Sequence, residues 1–292
     1  MVGEMTFERL EGRRVDYMPC RYGTSRTLFR GPKSDLSGPH VLCLGGTETY
    51  GKFLQTPYPA LIERMSGLTA VNLGVAQAGP DIYLNDRDLL AMTGGARATV
   101  IQVMGAQNMS NRHYTVHPRR NDRFLAASPL LRTVYREVDF TRFHFTRHML
   151  TVLQDLSADR FAILRAELQV AWVARMRALI ELITSPVVLL WLADRALGPN
   201  GGAAPLPEQS DPLFVTAEMI DALRPGVAAV VEAPASPDAL LHRTEELVFS
   251  QVEAPAAATL LGAQAHRDAA RAVAAALRGI AAHPATETTP GT

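Results

Sequence analysis

The stretch Val41-Leu42-Cys43-Leu44-Gly45-Gly46-Thr47-Glu48-Thr49-Tyr50-Gly51 decides the fold. Its first four residues form an unbroken apolar run, and a glycine pair ends it. A run this short, without alternation, predicts a strand buried on both faces, which is characteristic of parallel sheets. The same reading extends along the chain. Ala70–Leu73 runs into Gly74, Thr99–Met104 runs into Gly105, and Val187–Trp191 and Val227–Val231 supply a fourth and a fifth strand. Helical spacings lie between them at Pro59–Ser66, Asp81–Met92, Phe161–Ile183, Ala217–Leu223 and Ala263–Ala282. Strands alternating with helices predict an α/β fold: a five-stranded parallel sheet covered on both faces and joined by right-handed crossovers.

The chain has 292 residues, 47% hydrophobic and 20% charged, a profile that fits one large globular domain. Residues 1–38 read as a polar, turn-rich extension packed on the core, with short strands at Arg13–Met18 and Thr24–Phe29. Residues 39–283 read as the α/β domain, with a helical insert at 109–184, and 284–292 read as a disordered tail. Lys+Arg and Asp+Glu are both 29, so the net charge is zero, which argues against nucleic acid as a partner. No apolar leader precedes Arg14 and no run is long enough to cross a bilayer, so the default expectation is cytoplasmic, with no membrane partner. Cys20 and Cys43 cannot form a disulfide framework. No phosphate loop or dinucleotide fingerprint is present, so no cofactor is expected.

In an open parallel sheet the ligand site lies beyond the carboxyl ends of the strands. Four blocks fall there in order: Gly45-Gly46-Thr47-Glu48-Thr49-Tyr50-Gly51, then Asn72-Leu73-Gly74 through Gly79, then Gly105-Ala106-Gln107-Asn108, and finally His266 at a helix start. On these blocks the sequence resembles the SGNH (GDSL-type) hydrolase superfamily over about residues 40–282, and is similar to a divergent bacterial subgroup of it. The resemblance implies a three-layer, flavodoxin-like SGNH fold, with its five-stranded parallel sheet and helical insert, and an esterase or deacylase. Thr47 would stand at the nucleophile position with His266 as its base, and the Thr47 amide, Gly79 and Asn108 would form the oxyanion hole. The chain departs from the pattern in three places. Thr47 replaces serine, Gly46 replaces the aspartate of the first block, and Ala263 stands where the triad acid belongs. Asp194, just past the fourth strand, is the first substitute for that acid; Asp268 and Glu48 are others.

A second feature follows the third block. Of the 29 basic residues all but Lys33 and Lys52 are arginines, and eight arginines fall between 112 and 147. Arg112, His117, Arg119, Arg120 and Arg123, with Glu48 and Gln107, are the expected substrate-binding residues, the arginines clamping an anionic group on a small-molecule or carbohydrate ester. Salt bridges within the insert are the competing explanation. His144 and His148 are spaced i, i+4, but Arg147 beside them disfavours a cation, so no metal is expected. Three functions remain open: an ester hydrolase, a silent module binding an anionic ligand through the same cleft, and an acyl transferase.

Overall fold

The computed structural model describes residues 14–199, 206 and 210–282. The expected tail at 284–292, the first residues of the extension, and most of the Asn200–Pro212 loop lie outside them. Among the described residues there are seven strands: β1 (His40–Gly45), β2 (Thr69–Gly74), β3 (Ala98–Gln102), β4 (Tyr114–His117), β5 (Arg120–Ala127), β6 (Val187–Ala193) and β7 (Ala229–Pro234). Five of them form a parallel sheet in the order β2-β1-β3-β6-β7. The chain is thus an α/β protein with a doubly covered parallel sheet, as the apolar runs predict.

Side-chain alternation explains why the strands are apolar throughout. Val41 and Cys43 of β1 face one cluster and Leu42 and Leu44 the other. In β6, Val188, Leu190 and Leu192 face the first cluster, while Leu189, Trp191 and Ala193 face the second. The first cluster is closed by the helices Tyr58–Ser66 and Ala263–Ala282, which pack on one another. Ala265, Ala269, Ala270, Val273 and Leu277 form the buried stripe of the last helix; the alanines let its backbone lie close to the sheet. The opposite face is closed by the helix Ala158–Leu182, whose Phe161, Leu164, Leu168, Trp172, Met176 and Leu179 are buried at three- and four-residue steps. Each such side chain contributes roughly 1.5–3 kcal/mol of burial. Trp172 also donates its indole N–H to Met104 O at 2.9 Å, tying this helix to the exit of β3.

The structure departs from the sequence expectations locally. The segment 109–184 is not helical throughout: β4 and β5 form an antiparallel hairpin with irregular register, turning at Pro118-Arg119. Tyr114, Val116, Phe124 and Ala127 point inward from it, and the helical part follows it. Asp81–Met92 is two helices, Pro80–Leu84 and Arg87–Met92, because Asp86 takes an extended conformation and its carboxylate accepts the Leu89 N–H at 3.3 Å, capping the second. The last strand begins at Ala229, two residues later than expected. Among the described residues of the extension there is one isolated bridge, Cys20 with Phe29, in place of two strands. Among the described residues no helix is long and apolar enough to cross a membrane.

Candidate active site

The sheet places the first block at the carboxyl end of β1. β1 ends at Gly45, and Thr47 opens the short helix Thr47–Tyr50. The turn between them is held from several directions. The Tyr83 hydroxyl accepts the Gly45 N–H (3.0 Å) and lies 2.6 Å from Gly45 O and 2.8 Å from Leu73 O, the two acceptors for its single proton. Burial pushes that phenol well above its ordinary pKa, so it stays a donor. The Gly46 N–H donates to Gln102 Oε1 at 2.8 Å. Asn72 donates its amide to Thr49 O at 2.8 Å and fixes the helix against β2. Gly51 ends the helix at φ 69°, a left-handed conformation that suits glycine.

Beyond the carboxyl ends of β1, β3 and β6 lies a cavity of about 580 Å³. Its floor is Gly46, Thr47, Glu48, Gln77, Gln107 and Asn108. One wall is Asp122, Phe145, Thr146 and Arg147; another is Asp194, Ser210 and Asp211; a third is Arg243 with Ala258–Leu261. Of the site residues expected from the sequence, Thr47, Glu48, Gln107, Asn108 and Asp194 line this cavity.

Thr47 Oγ1 accepts the backbone N–H of Gln77 at 3.0 Å. Gln77 holds φ at +56°, a conformation uncommon for a residue with a side chain. The result is an amide aimed at the hydroxyl on the cavity floor. The Gly79 N–H, expected as an oxyanion donor, donates to Asn121 Oδ1 at 3.0 Å. Gly79 is needed for space instead: a Cβ there would lie 1.6 Å from Asn108 O. The Asn108 amide donates to Gln77 O (3.0 Å) and its Oδ1 accepts from Thr146 Oγ1 (2.7 Å), so in this state it braces the Gln77 turn.

His266 is fully buried and turned away from Thr47. Its Nδ1 accepts the Tyr58 N–H at 3.1 Å, so the ring proton sits on Nε2 and is donated to Glu48 Oε2 at 3.1 Å. The one basic nitrogen is thereby already occupied, and among the described residues no hydrogen bond joins His266 to Thr47 or to Asp194. His266 is thus bonded to Glu48, one of the alternatives to Asp194 for its acidic partner, and not to Thr47. Glu48 Oε1 accepts the Leu261 N–H at 3.3 Å, which holds the carboxylate from a second side. Asp194 accepts from the Ser210 hydroxyl and lies 3.7 Å from Arg195.

Of the eight arginines between 112 and 147, Arg147 lines the cavity and the expected Arg112, Arg119, Arg120 and Arg123 do not. Arg112 pairs with Glu167 at 2.9 Å, and the Arg123 guanidinium stacks over Phe145 at 4.2 Å. Arg119 and Arg120 are exposed at the hairpin turn, where His117 Nδ1 accepts the Arg119 N–H at 3.2 Å. The cavity's cationic side chains among the described residues are Arg147 and Arg243, neither singled out by its sequence context. Among the described residues no group of three or more His, Cys, Asp or Glu side chains is placed to hold a metal, the His144/His148 pair included.

No curated protein matches the sequence. Several solved structures are similar in chain path, three of them as follows. One, described as lipolytic and of the G-D-S-L family, is from Desulfitobacterium hafniense: 13% identity, TM-score 0.41, covering 82% of this chain and 99% of that one. The second is Axe2, an acetylxylan esterase from Geobacillus stearothermophilus: 13% identity, TM-score 0.42, 82% and 94% covered. The third is the lipase Lip_vut3 from goat rumen metagenome: 10% identity, TM-score 0.39, 82% and 97% covered. The sequence profile of the family described as "Domain of unknown function (DUF6473)" matches residues 5–281, and the chain belongs to that family.

Proposed function

We propose that this chain is an acyl-ester hydrolase of SGNH type in which Thr47 is the nucleophile and Glu48 the proton acceptor. The observation that carries this reading is the hydrogen bond from the Gln77 N–H to Thr47 Oγ1 on the floor of the cavity. A hydroxyl and a fixed amide donor at one point are what attack on a carbonyl needs. Thr47 Oγ1 would bond to the ester carbon while its proton passes to the Glu48 carboxylate. The carbonyl oxygen, now negative, would take the Gln77 N–H. Collapse would break the bond to the alcohol oxygen, which leaves with the proton from Glu48. Water would then release the acid from Thr47 by the same steps. One such preorganised donor is worth about 3–4 kcal/mol in other hydrolases. The buried His266 acts as a positioning residue that fixes the Glu48 carboxylate.

A second reading, a silent module that binds a ligand without cleaving it, is favoured by one observation: Thr47 Oγ1 has no side-chain base hydrogen-bonded to it among the described residues. The experiment that separates the two is hydrolysis of a panel of aryl and sugar acetates by wild type, Thr47→Ser and Thr47→Ala. The hydrolase reading expects turnover by wild type and Thr47→Ser and background rates for Thr47→Ala. Equal rates in wild type and Thr47→Ala remove Thr47 as nucleophile.

A further inference from the structure

The helix Ala158–Leu182 is apolar on two sides. Its buried side packs on the sheet. On the opposite side Ile163 is 70% exposed and Val170 is 69% exposed, and Ala162, Ala166 and Ala174 beside them are exposed as well. A helix that is apolar all round is normally covered all round. Isoleucine and valine are also poorer helix formers than the unbranched residues, so their place in open solvent gains nothing for the helix itself.

The exposed side carries two interleaved rows with a seven-residue spacing. One row is Asp159, Ala166 and the partly buried Val173; the other is Ile163, Val170 and Arg177. Rows of this kind form the seam between paired helices. Against a copy of itself running in the opposite direction, the first row meets the second in reverse. Asp159 then stands opposite Arg177, Ala166 opposite Val170, and Val173 opposite Ile163. A twofold axis repeats each pair, so opposite charges close both ends of an apolar seam. Parallel pairing would set Asp159 against Asp159 and Arg177 against Arg177. An antiparallel shift by one heptad would set Asp159 or Arg177 against an apolar residue.

Neither charged residue is committed elsewhere. Asp159 is exposed and makes no ion pair among the described residues. Arg177 gives one N–H to Ala222 O at 3.2 Å and has no carboxylate partner among the described residues. The charges beside the seam are already matched, Glu167 by Arg112 at 2.9 Å and Arg160 by Glu137 at 2.6 Å.

We propose that this face is the interface of a homodimer, in which the helix Ala158–Leu182 pairs antiparallel with the same helix of a second copy. The partner is a second copy because the charge pattern is complementary to itself. An exposed ion pair adds little affinity, so Ile163, Val170 and Val173 drive the association, while Asp159 and Arg177 set its direction and register. None of these residues lines the cavity, so the pairing is independent of the hydrolase reading.

The test is sedimentation of the full chain over a concentration series up to about 100 μM, which reads association in the micromolar range. Wild type should reach a dimer. Ile163→Glu/Val170→Glu should stay monomeric and keep a cooperative unfolding transition, because both positions are exposed. Asp159→Arg and Arg177→Asp should each weaken the dimer about tenfold or more, since each sets two like-charge pairs across the axis. An equimolar mixture of these two variants should dimerise as wild type does, because a chain with arginine at both positions then faces one with aspartate at both. A monomeric wild type, a dimer that survives Ile163→Glu/Val170→Glu, or a mixture that associates no better than its components overturns the proposal.

Discussion

The backbone N–H of Gln77 reaches Thr47 Oγ1 at 3.0 Å from a residue held at φ +56°. The two residues lie 30 positions apart, on the turns that follow β2 and β1. Asn108 closes the arrangement by donating to Gln77 O. The turn that aims the amide is thus braced from the end of the third central strand. A conformation of this kind costs an L-residue about 1–2 kcal/mol and persists where its surroundings hold it.

Gln77→Gly should relieve that strain and keep the N–H. The gain is partly offset by the larger freedom of glycine in the unfolded chain, so stability should change by less than about 1 kcal/mol. Ester hydrolysis should survive. Thermal unfolding and turnover of the same preparation check both; a loss of turnover comparable to that of Thr47→Ala would show that the Gln77 side chain, not its amide, matters.

Glu48→Gln should abolish turnover, because it removes the carboxylate that accepts the proton while leaving a side chain of equal size. His266→Gln should retain part of the turnover, since an amide N–H can still hold Glu48. A base at His266 would give the reverse order. His266→Ala should also destabilise the protein by about 2–4 kcal/mol, as it opens a fully buried site and leaves the Tyr58 N–H unpaired. Comparing kcat of the two glutamine variants with their unfolding midpoints separates positioning from folding.

Arg30 is a buried strut for the segment that follows the Thr47–Tyr50 helix. Its guanidinium donates to Tyr50 O (3.1 Å), Gly51 O (2.6 Å), Leu54 O (2.7 Å) and Gln55 O (3.0 Å), with the Tyr17 ring 5.2 Å away. Arg30→Ala strands these carbonyls and should cost at least about 3 kcal/mol. Arg30→Lys should recover only a fraction, because a single ammonium cannot span the four acceptors. Denaturant unfolding reads both; a loss below about 1 kcal/mol for Arg30→Ala would contradict the assignment.

His113 gives a pH dependence. It is buried, its Nδ1 has no partner among the described residues, and burial holds its pKa below the ordinary histidine value, with Arg112 adding to the effect and Glu167 opposing it. The unfolded chain therefore takes up the proton first as pH falls. Stability contributed by the neutral ring is fully present above the ordinary histidine pKa and declines as pH drops through it. His242, exposed and raised by Glu245 and Asp238, acts in the opposite sense, so the comparison must be with a variant. His113→Phe should flatten the fall in unfolding midpoint between about pH 8 and 5; an unchanged slope would remove His113 as its source.

The sheet was legible because its strands are nearly continuous apolar runs ending in glycine, a pattern that survives without knowledge of neighbours. The β4–β5 hairpin was not, because Arg119-Arg120-Asn121-Asp122 reads as a solvated loop and only Phe124 and Ala127 mark the buried side of β5. In the site, the four blocks located Thr47, Glu48, Gln107 and Asn108, since strand ends fix them. Gln77 was hidden: nothing in its residue type signals a left-handed φ, and the nearby Gly79 drew the expected role. The partner of His266 was named only as an alternative to Asp194, because Glu48 lies 218 positions away and the packing of the last helix on Tyr58–Ser66 brings them together. The arginine stretch misled for a related reason. Chain proximity to a strand end says nothing about which way a hairpin turns.

The most direct test of the central claim is intact-mass and peptide mass spectrometry after exposure to a fluorophosphonate or a slowly released acyl ester. The account predicts one covalent adduct per chain, on Thr47, absent from Thr47→Ala and strongly slowed in Glu48→Gln. No adduct, or an adduct on another residue that persists in Thr47→Ala, would contradict it.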